Sequence, residues 1–280
     1  MTSVSTLVVQ SPEATAPRAA ELAQFSGATA CEALGKTAWR LPGVAQRDDV
    51  AAWCDARRID HAWVPEERRF KDLKLLALDM DSTLITIECI DEIGGFIGRK
   101  SEISEITAQA MRGEIDYPAS LRRRVALLEG LDEEVLQDVY DEKLRLSSGA
   151  ERLVEQCKRH GVKILLVSSG FTFFTERLKD RLGLDEAMAN VLEIDNGKLS
   201  GRVLGTIVDA DAKAAKFRQM AQRLGAARAQ TVAIGDGAND LRMMAEAGVS
   251  IAYRARPVVR GKATCRLDYA GLDGALNLFH

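Results

Sequence analysis

The chain has 280 residues, of which 46% are hydrophobic and 28% charged, with a net charge of −3 and a pI near 5.8. This is the balance of a globular protein of one large or two ordinary domains. The acidic sum argues against a nucleic-acid partner, which needs a basic face, but leaves room for a small acidic substrate held by a few placed cations. No apolar run approaches the roughly 18 residues of a membrane span, and the N-terminal stretch lacks the basic region of a signal peptide. The five cysteines, Cys31, Cys54, Cys89, Cys157 and Cys265, are odd in number and form no C-x-x-C pair. Neither a zinc site nor a disulfide framework is indicated, and a cytoplasmic protein with reduced thiols is expected.

In chain order, "TLVVQ" (6–10) reads as a strand and "PEATAPRAAELAQF" as a helix weakened by Pro17. "TACEAL" and "TAWRL" read as two short strands around Gly35, "QRDDVAAWCDARR" as a helix and "HAWVP" as a closing strand. The order β-α-β-β-α-β over residues 1–70 is that of a ferredoxin-like unit. "EERRFKDLK" (66–74) is charged and reads as a linker or a leading helix.

Beyond it the pattern changes. "LKLLALD" (73–79), "VKILLVSS" (162–169) and "TVAIGD" (231–236) are continuous apolar runs, as strands buried on both faces should be, and "VSIAY" (249–253) is a weaker one. Between them "GAERLVEQCKRHG" and "KAAKFRQMAQRLG" read as helices stopped by glycine. Alternating strands and helices predict an α/β fold, a doubly wound parallel sheet covered on both faces. Residues from about 86 to 148 contain no convincing strand and read as a helical cap inserted directly after the first acidic loop.

In an open parallel sheet, ligands collect beyond the carboxyl ends of the strands. Those ends deliver Asp79 and Asp81; Ser168, Ser169 and Gly170; and "GDGAND", with Asp236, Asn239 and Asp240. "DADAKAAK" adds lysines before the third strand. Gathered carboxylates call for a hard cation, and Mg²⁺, which shares one or two carboxylates with a phosphate, fits Asp79 and Asp236. A calcium loop starting at Asp79 fails, since its sixth residue is Leu84 where glycine is needed and its twelfth is Ile90 where glutamate is needed. The three histidines lack metal-ligand spacing, which argues against zinc. A strand alternates with period two, so Asp79 and Asp81 are expected on one side, one able to attack phosphorus and the other to move protons.

"DMDSTL", "SSG", "GDGAND" and an intervening lysine, in that order, resemble the haloacid dehalogenase-like (HAD) phosphohydrolases. "ECIDEI", "MRGEIDYPASLRRRVALLEGL", "LLVSSGFTFFTERL" and "TVAIGDGANDLRMMAEAG" resemble the branch of that family acting on O-phosphoserine, and the likeness covers about residues 71–270. Residues 1–70 are similar in outline to an ACT-like region. The resemblance implies a HAD-like Rossmannoid core at 71–280 carrying the cap. It implies Asp79 as nucleophile and Mg²⁺ ligand, Asp81 as acid and base lending its carbonyl to the metal, and Asp236 as the metal carboxylate. Ser168 and the amide of Ser169 match the phosphate-binding turn, and Lys213 the phosphate-neutralising lysine, with Lys216 as its alternate. Asn239 matches a phosphate or substrate contact, and Asp240 a support behind the ligands. Glu88 and Arg124 match the grip on the amine and carboxylate of serine, and Tyr117 and Met111 are candidates for pocket lining or core. Where the family has a second glycine this chain has Ser169.

The expected activity is Mg²⁺-dependent hydrolysis of O-phosphoserine through an aspartyl-phosphate, the last step of serine biosynthesis. The alternatives are phosphoryl transfer to another acceptor, or hydrolysis of a different small phosphomonoester. A regulatory protein that senses an amino acid is a third class, disfavoured by the intact catalytic set. The expected partner is a small molecule, with no nucleic acid and no membrane, and a homodimer stays open.

Overall fold

The computed structural model describes residues 5–112 and 114–280, without the side chains of Ser5 and Met111. Met1–Val4, Gly113 and the Met111 side chain named above lie outside the described residues.

The first part of the chain forms β1 (Ser5–Gln10), α1 (Ala16–Ser26), β2 (Glu32–Ala33), β3 (Ala38–Pro42), α2 (Asp48–Ala56) and β4 (Asp60–Pro65). These strands make an antiparallel sheet in the order β2-β3-β1-β4. Pro17 does not weaken α1, because it falls in the first turn, where its missing N–H has no helical partner to lose. "EERRFKDLK" holds a single 3₁₀ turn at Phe70–Asp72 rather than a helix.

The rest forms β5 (Leu75–Leu78), α3 (Cys89–Phe96), α4 (Lys100–Met111), α5 (Tyr117–Ala126), α6 (Glu134–Asp138), α7 (Ala150–Arg159), β6 (Lys163–Phe171), α8 (Thr172–Leu182), β7 (Glu186–Asp195) and β8 (Lys198–Leu204). It ends with α9 (Ala210–Arg223), β9 (Thr231–Gly235), α10 (Leu241–Glu246), β10 (Val249–Tyr253), α11 (Pro257–Arg260) and β11 (Cys265–Leu267). The second sheet runs β11-β10-β9-β5-β6-β7-β8. Its pairs are parallel except for β8, which returns antiparallel to β7. The chain order diverges on either side of β5, with β6 on one flank and β9 on the other. The crevice at such a switch point is where an open α/β sheet binds its ligand.

β5 shows why the apolar runs are continuous. Leu75 and Ala77 pack with Phe217 and Met220 of α9 and Met243 and Met244 of α10. Leu76 and Leu78 point to the opposite face, toward Leu153, Val154 and Cys157 of α7. The first sheet behaves alike: Leu7 and Val9 pack on Leu22 and Val50, while Val8, Ala62 and Val64 join the large core. Its edge is tied down by Asp60, which accepts backbone N–H bonds from Asp268, Tyr269 and Ala270 at 2.8, 2.9 and 2.8 Å.

The stretch 86–148 is helical, as its sequence implies. It leaves and rejoins the core side by side: Thr86 N–H donates to Arg145 O and Ser147 N–H to Leu84 O. The β7–β8 hairpin has no counterpart in the sequence expectation above. Its signal is the dipeptide Asn196-Gly197, both at positive φ (50° and 77°), the pair that a two-residue hairpin turn requires. The hairpin braces the cap, with Leu199 exchanging backbone hydrogen bonds with Gly130 and Leu131.

No helix among the described residues is long and apolar enough to cross a membrane.

Candidate active site

The β5 ladder ends at Leu78. Asp79 is still fixed, its N–H donating to Ile234 O of β9 at 3.0 Å. The chain then folds into a tight turn over Met80–Leu84, with Ser82 in the left-handed region at φ 55°. Asp81 therefore lies beyond the strand, and period-two alternation is not what brings it beside Asp79. The turn does so, and Cys89 N–H at the start of α3 holds Asp81 Oδ1 at 3.0 Å. Thr83, fully buried, donates to Asp236 Oδ1 at 3.3 Å and ties this turn to the end of β9.

Beneath the turn lies Lys213, on the first turns of α9 and wholly buried. Its Nζ donates to Asp79 Oδ1 at 2.5 Å and to Asp240 Oδ1 at 2.8 Å. Asp240 Oδ2 accepts Gly237 N–H at 3.1 Å, so both of its oxygens are engaged. Lys216 faces elsewhere and pairs with Glu186 at 2.7 Å. Asp79, Asp236 and Asp240 each bring one oxygen within 4.8 Å of the others. Such crowding disfavours charge. Burial, and then Asp240, hold the Asp79 carboxyl well above the usual range, and the same two causes push Asp236 to about 6. Burial raises Asp81 as well, against the bond from Cys89. For Lys213 burial opposes the charge, but the Asp240 and Asp79 carboxylates outweigh it and hold the ammonium firmly protonated.

The end of β6 supplies donors. Ser168, buried, accepts Gly170 N–H on Oγ at 2.8 Å and donates to Asp81 Oδ2 at 3.4 Å. Ser169 faces the cavity, where Asn239 Nδ2 donates to its Oγ at 3.4 Å. Tyr117 OH reaches down from α5 to Ser169 O at 2.9 Å. Ser169 is not among the residues at positive φ, so serine in place of the family's glycine carries no backbone strain. The more crowded position is the next one, Gly170. A Cβ at Gly170 would stand 2.6 Å from Asp81 Oδ2.

These residues surround a cavity of about 570 Å³ between the strand ends and the cap. Asp79, Asp81, Ser169, Asp236 and Asn239 line its core side, and Glu88, Tyr117 and Arg124 its cap side. Ser168, Lys213 and Asp240 lie behind that wall. In the run Arg122–Arg124, the first two are exposed and Arg124 turns to the cavity. Glu88 precedes α3 with an extended backbone and accepts from Ser82 Oγ at 2.6 Å. The side chain is open to the cavity, yet the enclosing walls, and next Asp81, push its carboxyl up to about 7. Sequence reasoning did not single out Asp209, Asp211, Arg242 and Arg256, which also line the cavity. Asp209 had a legible signal, an aspartate directly before an apolar-periodic run; it caps α9 by accepting from Asp211 and Ala212 N–H at 3.0 and 2.9 Å.

A parallel sheet whose switch point presents paired aspartates, a buried lysine and a serine turn beneath a helical cap defines a class of hydrolase. The chain belongs to the haloacid dehalogenase-like hydrolase family, whose model matches residues 76–245. A second model, described as a domain of unknown function, matches residues 7–50. Among the relatives, the phosphoserine phosphatase of Polaromonas sp. is 51% identical over 215 residues, which span 75% of this chain and 91% of that protein. The crystal structure of a probable phosphoserine phosphatase from Vibrio cholerae, in unliganded form, matches with a TM-score of 0.86 at 37% identity, covering 98% of this chain and 86% of that one. A HAD family hydrolase from Salmonella enterica serovar Typhi matches with a TM-score of 0.89 at 32% identity over 99% of both chains.

Proposed function

We infer that the chain hydrolyses O-phosphoserine to serine and inorganic phosphate, with Asp79 as nucleophile and Asp81 as acid and base. One observation carries this reading. Asp79, 2.5 Å from Lys213 Nζ, forms the floor of a single cavity whose walls hold Asp81, Asp236, Glu88 and Arg124.

Asp79 attacks phosphorus, forming an aspartyl-phosphate as the bond from phosphorus to the serine oxygen breaks. Asp81 delivers a proton to the departing oxygen. It then takes one from water, which attacks the aspartyl-phosphate, frees phosphate and restores Asp79. Its raised pKa keeps more of the acid form available near neutrality than a free aspartate would. Ser168, the Ser169 amide, Lys213 and Asn239 hold the phosphoryl oxygens. Glu88 pairs with the substrate ammonium, and the planar fork of Arg124 with its carboxylate.

The donor set fits Mg²⁺, a hard cation that takes carboxylate oxygens. Because Asp240 is engaged by Lys213 and Gly237 N–H, Asp79 and Asp236 would hold the ion with the Asp81 carbonyl, and Asp240 would steady Lys213. When bound, the ion offsets negative charge on the phosphoryl group.

We assign residues 71–280 to the hydrolase, with the cap at about 86–148 closing over the cavity. Residues 1–70 are an ACT-like unit of ferredoxin-like type, a reading supported by the β-α-β-β-α-β order and the sheet order β2-β3-β1-β4. The reaction belongs at the last step of serine biosynthesis. A cytoplasmic location accords with five free cysteines, four of them buried. Assaying a panel of phosphorylated metabolites with and without Mg²⁺, and mapping the labelled peptide from ³²P-substrate, tests the whole reading. Preference for another ester, or label on a peptide lacking Asp79, would refute it.

A further inference from the structure

Asn190 of β7 is 1% exposed and touches none of the cavity, yet every polar atom of its side chain serves the site's backbone. Its Nδ2 donates to Ser169 O at 2.7 Å and to Gly170 O at 3.3 Å, and its Oδ1 accepts Val208 N–H at 2.8 Å. The β6–β7 register explains the need. Val167 stands opposite Met188 and Phe171 opposite Asn190, so three residues of β6, Ser168–Gly170, face the single β7 residue Ala189. A bulge of this kind strips carbonyls of their ladder partners and re-aims a strand end beside an active site. The Asn190 amide replaces the lost donors.

The consequence reaches the reacting groups. The peptide joining Ser169 to Gly170 is planar, so its carbonyl and N–H point in opposite directions. Asn190 and Tyr117 hold the carbonyl, while the N–H donates to Ser168 Oγ at 2.8 Å. With that oxygen already accepting, the Ser168 hydroxyl proton is left for Asp81 Oδ2 at 3.4 Å. At its other end Asn190 anchors Val208, next to the Asp209 cap of the helix that carries Lys213. Both donors and the acceptor are required at this length. Aspartate lacks the donors, and a serine or threonine hydroxyl offers one donor where two carbonyls wait.

We propose that Asn190 is a positioning residue that locks the phosphoryl-binding turn and registers it against the lysine-bearing helix. This rests on the functional reading above. The test compares wild type with Asn190→Ala and with Asn190→Asp, which keeps the size and the acceptor for Val208 and serves if the alanine variant fails to fold. Dissociation constants for inorganic phosphate and for L-serine are measured by titration calorimetry with Mg²⁺ present, alongside kcat, KM and melting temperature. A turn displaced by a fraction of an ångström should cost about 10–10²-fold in kcat and at least about ten-fold in phosphate affinity. L-serine, read by the cap, should bind within about three-fold of wild type. Phosphate affinity unchanged, or phosphate and serine weakened together in step with the melting temperature, would overturn the proposal. Wild type that binds phosphate but leaves O-phosphoserine intact would instead defeat the functional reading, while the phosphate comparison would still decide the role of Asn190.

Discussion

Lys213→Met leaves the aliphatic stem of the side chain in place and deletes the ammonium that bridges Asp79 and Asp240. The lysine and Asp240 side chains are 0% exposed and that of Asp79 is 6% exposed, so water cannot take over the lost role. Removing one partner of such a buried pair costs about 3–5 kcal/mol, because an uncompensated charge is left behind. Methionine nearly fills the vacated volume, so the cavity contribution is small. At about 2 °C per kcal/mol for a chain of this size, melting of the metal-free variant should fall by about 6–10 °C. The deficit depends on pH with a definite sign. The Asp79 carboxyl is held above its unfolded value by burial and by Asp240. Lys213 pulls that value down, so in its absence the carboxyl rises further and the variant loses more stability than wild type as pH rises; the deficit should be larger at pH 8 than at pH 5.5. Turnover should fall about 10²–10³-fold, the loss typical of one preorganised electrostatic contact. Thermal unfolding in EDTA at the two pH values, with steady-state assays, measures both. Melting within about 1 °C of wild type, roughly 0.5 kcal/mol, would refute the view of Lys213 as the buried counter-charge.

Asp79→Asn should abolish turnover by about 10⁴-fold or more, since the nucleophile is gone, without lowering the metal-free melting temperature, because a neutral acceptor still faces Lys213. Asp81→Asn should cost about 10²–10⁴-fold in kcat; near-normal kinetics for either variant would contradict its role. Glu88 must be ionised to pair with an ammonium, so KM for O-phosphoserine should rise as pH drops, with a midpoint no higher than about 7. An analogue lacking the amine should not show that rise, and a rise shared by both compounds would point elsewhere. Asp236, held at about 6 in the metal-free chain, favours the folded state when protonated and loses that contribution as pH rises through 6. Mg²⁺ competes with that proton, so its thermal stabilisation should grow between pH 5.5 and 8. Stabilisation that is flat or shrinks with pH would argue against carboxylate ligation.

Much of the site was legible because its parts are local. The Leu75–Leu78 run announces a strand buried on both faces, and an apolar strand ending in Asp79 and Asp81 has few uses other than chemistry. Elsewhere local reading misled. Pro17 looked like a helix breaker, yet its place in the first turn makes it harmless. Asp79 and Asp81 were brought together by strand alternation in the sequence reading, whereas a tight turn with Ser82 at φ 55° does it in the structure. The β7–β8 hairpin was missed because Glu186, Asn190 and Glu193 break the apolar residues of β7 into pieces that neither run on nor alternate cleanly, although Asn196-Gly197 was there to be read.

The sequence alone determined the alternation of apolar strands and helices, the helical insertion after Asp81, and which oxygens and amines stand at strand ends. These follow from periodicity and turn chemistry, forces acting over a few residues. Tertiary structure decided which groups meet. Lys213 and not Lys216 reaches Asp79, across 134 residues of chain, because only one face of α9 packs against the sheet. Packing also gives both oxygens of Asp240 to Lys213 and Gly237, and brings Asn190 under the bulge that offsets β6 against β7. Buried hydrogen bonds and ion pairs are set by how elements close on one another, and no local spacing encodes that.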